Sequence, residues 1–95
     1  MFSINEAESE ALLLLGRRLK RRRLQAGEPQ ARAAARLGVS LPTYRKLEKG
    51  DSSAQIGTWV RAIRLYGVLK ELETLFPESL FDAAEVRRRA PKRRV

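Results

Sequence analysis

Residues 35–50 read ARLGVSLPTYRKLEKG. One periodic stretch closes on Leu37 and Gly38, and a second runs from Leu41 to Gly50. Pro42 stands just where the second helix should begin, and its position decides the reading. With Ser40 as N-cap, Leu41 is N1 and Pro42 is N2. The amide at N2 has no acceptor inside the helix, so a proline there costs little and stiffens the first turn. The stretch therefore predicts two helices joined by a tight turn at Gly38, a helix-turn-helix. In the second helix Tyr44 and Leu47, three apart, face inward, while Leu41, Arg45, Lys46 and Lys49 face out.

Working outward, Asn5 and Glu8 have capping-box spacing, so a first helix starts near Asn5. Leu12, Leu15 and Leu19 recur at helical spacing and predict its apolar face. Gly27 ends it, and Pro29 suits the first turn of a second helix through Leu37, whose alanines allow close approach. After Gly50, Asp51-Ser52-Ser53 is a polar loop. A fourth helix is expected over residues 57–66, with Trp59, Val60, Ile63 and Tyr66 inward. A fifth is expected over residues 69–76, with Leu69, Leu72, Leu75 and Phe76 on one face. Residues 79–88 can form a further short helix. From Ala90 onward, proline and charge predict disorder.

The 95 residues fit one small domain. Without Cys or His there is no disulfide framework and no usual zinc site. The longest leucine run, Leu12 to Leu15, is too short to span a bilayer. The acidic opening MFSINEAESE has no signal-peptide pattern, which points to the cytoplasm. No phosphate-binding glycine loop, nucleophile–base pair or metal cluster supports catalysis, and no cofactor is expected.

Charge points to the partner. Twenty Lys and Arg against eleven Asp and Glu leave +9 on the chain. A polyanion, with nucleic acid foremost, is the natural counterpart. The charge is unevenly placed. Three glutamates and no base occupy the first ten residues. Residues 17–23, RRLKRRR, then carry six positive charges in seven, and VRRRAPKRRV at the end carries six more.

Residues 15–67 resemble the Cro/repressor-type (Xre) helix-turn-helix family of phage and bacterial regulators. LGRRLKRRRLQAG is similar to its first helix. Gln30, Ala34, Leu37-Gly38-Val39-Ser40, Thr43, Leu47-Glu48 and Gly50 fall on its signature positions, and IGTWVRAIRLYG resembles its fourth helix. Three departures stand out. Glu28-Pro29 replaces an apolar residue and a Thr or Ser, Ala33 replaces a frequent Leu, and Asp51 replaces a frequent base. The first two predict a differently capped and less tightly packed second helix, and the third removes one phosphate contact.

The resemblance implies an all-α, five-helix, lambda-repressor-like domain, and the charge and proline after it add a basic, disordered C-terminal tail. Its parts are an extension of helix one at 1–14, the domain at 15–76, a C-terminal segment at 77–89 and the tail at 90–95. The implied partner is double-stranded DNA, with no membrane. Gln30 would hold a phosphate at the start of helix two. Helix three would enter the major groove, offering Ser40, Leu41, Pro42, Thr43, Arg45, Lys46 and Lys49. Arg45 or Lys46 would meet guanine O6 and N7, or else a phosphate. Leu41, Pro42 and the Thr43 methyl would touch thymine methyls. Arg23 and Glu48 sit where the family often places a partly buried ion pair. Tyr44 reads as core, its hydroxyl needing a partner such as a phosphate, and Trp59 reads as core. The run at 17–23 cannot all face DNA; part of it is solvated or meets the acids of a partner chain. The tail reads as a DNA arm or a solubilising end.

The function expected is a homodimeric repressor of its own operon on an inverted repeat. Leu65, Val68, Leu72, Leu75, Phe76, Leu80 and Phe81 exceed the needs of a small core, and some are expected at the dimer contact; Leu12 to Leu14 are a second candidate. The alternative is an antitoxin, because GDSSAQIGTWVRAIRLYG and LKELETLFPE resemble small Xre proteins encoded beside HipA-like kinase toxins. Such a protein binds a toxin partner as well as DNA.

Overall fold

A computed structural model describes residues 3–77. These residues form four α-helices, α1 (Glu6–Gln25), α2 (Gln30–Leu37), α3 (Leu41–Lys49) and α4 (Ile56–Tyr66), then a 3-10 helix over Leu69–Thr74. The described residues are all-helical, with no strand. The expected helix at 79–88, the tail at 90–95, and Leu80 and Phe81 lie outside them.

Local chemistry sets the helix ends. Asn5 and Glu8 close the capping box in both directions: Glu8 N donates to Asn5 Oδ1 at 2.8 Å, and Asn5 N to Glu8 Oε1 at 2.9 Å. Ser40 Oγ accepts from Thr43 N at 3.2 Å, and Pro42 sits in the first turn of α3. The helix therefore begins at Leu41, unbroken. Gly38 and Gly50 end α2 and α3 in the left-handed conformation, at φ 74° and 69°, where a Cβ is penalised. Pro29 precedes α2 and gives it no side-chain cap.

α3 packs against both α1 and α2, and α4 against α1 and α2. Leu19, Ala33, Ala34, Leu37, Tyr44, Leu47, Trp59, Ala62 and Tyr66 make the core. Ala33 and Ala34 of α2 are buried while Ala31 and Ala35 are exposed, so on its inner side a small residue fills a narrow gap between helices.

Four expectations need correction. The core face of α1 is Leu12, half-buried, with Gly16, Leu19 and Arg23 buried, while Leu15 is exposed. The reason is a backbone crossing. A Cβ on Gly16 would lie 2.5 Å from Glu48 O and 2.7 Å from Leu47 O, so α1 meets α3 at a residue without a side chain. That contact centres the buried stripe on position 16 and turns position 15 about 100° away. Leu41 does not point into solvent; it packs half-buried against the core. α4 starts at Ile56, one residue early, after Gln55 as N-cap. The fifth helix is a 3-10 helix ending at Thr74 that buries no residue, and Leu75 and Phe76 beyond it are exposed. Its main neighbour is α4, and it makes no comparable packing with α1, α2 or α3, so its apolar side has little to pack on.

Candidate nucleic-acid interface

Arg23 and Glu48 are brought together, with Arg23 Nε donating to Glu48 Oε2 at 2.6 Å and Nη2 to Oε1 at 3.1 Å. Both side chains are nearly inaccessible, at 7% and 4% exposure. A buried pair survives only if its remaining donors and acceptors are filled. Here they are filled: Arg23 Nη1 donates to Glu28 O at 2.8 Å, and Glu48 also accepts from Tyr44 OH and from Gln30 Nε2 at 2.9 Å. No buried side-chain polar atom among the described residues lacks a partner. Burial pushes the Glu48 carboxyl up, but the hydrogen bonds from Arg23, Tyr44 and Gln30 outweigh it and hold the carboxyl below its ordinary value. Burial, then the neighbouring carboxylate, pushes the Tyr44 phenol far up, so it stays a donor.

Two implied phosphate ligands are thus already engaged within the chain. The Tyr44 hydroxyl, left open in the sequence, donates to Glu48. The Gln30 side chain bridges Glu48 and Arg45, because its Oε1 accepts from Arg45 Nε at 3.3 Å. With an acid on one side and a guanidinium on the other, only one orientation of the amide satisfies both. Four residues therefore form a chain from α1 to the surface of α3: Arg23, Glu48, Gln30, Arg45.

On α3 itself, Pro42, Lys46 and Lys49 are placed at i, i+4 and i+7, one outward ridge, with Arg45 exposed on its flank. The Ser40 hydroxyl is used as a cap and donates to Thr43 Oγ1 at 3.0 Å, and Thr43 is half-buried. Lys20 of α1 joins Gln30, Arg45, Glu48 and Lys49 around a shallow concavity. Its one acid, Glu48, is neutralised by Arg23, so the concavity presents positive charge. A neighbouring hollow along α1 is lined by Arg17, Lys20, Arg21, Leu24 and Gln25. Asp51, which replaces an expected base, accepts from Ser53 N at 2.8 Å and Ser53 Oγ at 2.7 Å, and these hydrogen bonds lower its pKa.

A second cluster was not anticipated from the sequence. Glu28 accepts from Arg36 Nη1 at 2.8 Å, from Arg32 Nε at 3.3 Å and from the Tyr66 hydroxyl. The Arg36 guanidinium also lies 5.4 Å from the centre of the Tyr66 ring. The hydrogen bond from Tyr66, then those from the arginines, holds the Glu28 carboxyl below its ordinary value. The residue that departs from the family pattern thus ties the start of α2 to the end of α4. The signal was present in the spacing: Glu28, Arg32 and Arg36 fall four apart along one helical side. At the other end of α2, Arg61 Nη1 donates to Leu37 O at 2.8 Å and satisfies a terminal carbonyl.

No helix among the described residues is long and apolar enough to cross a membrane. No curated protein and no solved structure matches the chain. The family described as "Helix-turn-helix domain" matches residues 14–75 of the 95, which takes in all of α2, α3 and α4, the body of α1 and the 3-10 helix. A short helix locked against two others, a turn closed by a left-handed glycine, and a following helix with an outward basic ridge are how such a domain meets a duplex; the chain belongs to the helix-turn-helix domain family of DNA-binding regulators.

Proposed function

We propose that this chain is a sequence-specific repressor of the Cro/repressor (Xre) kind, acting in the cytoplasm as a homodimer on an inverted repeat upstream of its own gene. The observation that carries this reading is the treatment of α3. Its inner side is fixed by a buried ion pair and a tyrosine, while its outer side offers Pro42, Lys46 and Lys49 with Arg45 beside them. A helix held so firmly and left so basic outside is suited to reading base edges from a fixed pose. A single such helix contacts too few base pairs for selectivity; two of them, related by a two-fold axis, read half-sites about 34 Å apart.

Footprinting on the DNA upstream of the gene tests it. Two protected half-sites of inverted sequence, one helical turn apart, are expected. Uniform protection with no preferred site would sink specific repression and leave a nonspecific binder.

A second reading, the antitoxin, draws on Val68, Leu75 and Phe76. These are exposed at 52%, 63% and 91%, three apolar side chains at the far end of the described chain. A protein partner of matching apolar character would cover them. Co-expression with a kinase encoded beside the gene, followed by co-purification, decides whether such a partner exists.

A further inference from the structure

We propose that the solvent face of α1 pairs with the same face of a second copy of this chain, the two helices running antiparallel. This rests on the homodimer reading above and names the surface that makes the dimer.

α1 has two faces with different tasks. Leu12, Gly16, Leu19 and Arg23 turn to the domain. The opposite face carries Glu6, Glu10, Leu13, Leu14, Arg17 and Arg21, all exposed, the leucines at 40% and 47%, with Leu24 exposed on it beyond them at the end of the helix. Read along the helix, this face is acid, then leucine, then base. Such an order is complementary to itself only in the antiparallel sense. With a two-fold axis between residues 13 and 14, Leu13 meets the partner's Leu14, Glu10 meets the partner's Arg17, and Glu6 meets the partner's Arg21. Each contact occurs twice, as an isologous interface requires.

Helix-dipole compensation is the competing account of acids early and bases late in a helix. It reaches only the first and last turns. It covers Glu6, Glu8, Arg22 and Arg23. It does not explain why Glu10 and Arg17, in the interior of a 20-residue helix, share one face with two exposed leucines.

The arrangement also leaves the DNA face free. Lys20 lies about 60° around the helix from Arg17 and about 100° from Arg21. It sits between the domain side and the paired side, on the edge shared with Arg45 and Lys49. The two-fold axis of a side-by-side antiparallel pair is perpendicular to the plane of the helices. Both copies therefore turn their Lys20 edges the same way, as binding to one duplex demands.

Charge reversal tests the pairing, with the full chain and analytical ultracentrifugation over a concentration series. One variant carries Glu6→Lys and Glu10→Lys, the other Arg17→Glu and Arg21→Glu. All four positions are exposed, and circular dichroism checks that both variants fold. The wild type is expected to be a dimer. Each variant alone should self-associate at least about tenfold more weakly, since four attractive pairs become repulsive. Mixed in equal amounts, the variants should form a one-to-one heterodimer, because each lysine again meets a glutamate. A wild-type dimer whose variants dimerise equally well would place the dimer contact elsewhere and overturn this surface while leaving the homodimer reading intact. Variants that lose dimerisation but do not recombine on mixing would also overturn it. A wild type that stays monomeric with and without operator DNA would overturn both.

Discussion

Glu48 accepts from three side chains on three helices, and its removal leaves the Arg23 guanidinium buried without its counter-charge. Glu48→Ala should therefore destabilise the domain by about 3 to 5 kcal/mol, read from urea unfolding. The pair also carries a pH dependence of known sign. The Glu48 carboxyl lies below its ordinary 4.5 in the folded state, so its contribution is fully present above that value and is lost as pH falls through the lower folded one. Unfolding free energy should drop on acidification below about pH 4.5, and Glu48→Gln should flatten that part of the profile. Gln30 supports a different prediction. If it held only a phosphate, Gln30→Ala would weaken operator and random DNA by the same factor. Because its amide holds Arg45, the loss should fall mainly on the operator, and Gln30→Ala should add little to Arg45→Ala in a double-mutant cycle. The sequence placed Arg23 and Glu48 together through the family resemblance. It could not place the Gln30 amide, because residues 30 and 45 are linked by no helical spacing and meet only once α2 and α3 are packed.

At the scale of the helices, most of what is local was legible. Asn5, Ser40, Gly38 and Gly50 act on neighbours within a few residues, and each ends or begins a helix where chemistry predicts. What depends on the approach of two helices was not legible, and Gly16 is the clearest case. In the sequence it is a glycine inside a helix, which counts against that helix by about 1 kcal/mol relative to alanine. In the fold it is the point where α1 rests on the backbone of α3. Propensity and packing thus make opposite predictions for Gly16→Ala. A methyl 2.5 Å from a carbonyl oxygen cannot be absorbed by a side-chain rotation, so packing wins. Overpacking costs typically about 1 to 3 kcal/mol, against a propensity gain of about 1, and the melting temperature should fall. A rise would mean that the crossing can open. The fifth helix forms, but as a 3-10 helix that ends at Thr74, for the complementary reason: its leucine spacing is helical, yet little besides α4 stands opposite it.

For the whole molecule, the net charge of +9 governs how tightly any duplex is held, apart from which duplex is chosen. Deleting residues 90–95 removes Lys92, Arg93 and Arg94 and leaves the described helices untouched. The slope of log affinity against log salt should shrink by up to about 0.9 for each phosphate that these bases neutralise, while the preference for operator over random DNA stays the same. An unchanged slope would assign these bases to solubility or to a protein partner. The described α3 has a further consequence at this scale. It meets α1 at Gly16 backbone against backbone, and a second such approach lies where a Cβ on Gly50 would come within 2.6 Å of Leu12 O. Neither includes a side chain that could change rotamer to let α3 tilt. In the proposed homodimer, a mismatch between α3 and the groove width of an operator must therefore be met by the nucleic acid. Base steps that the protein never touches then enter the selection through how easily they bend, so flexible pyrimidine–purine steps between the half-sites should bind better than stiff tracts of the same length.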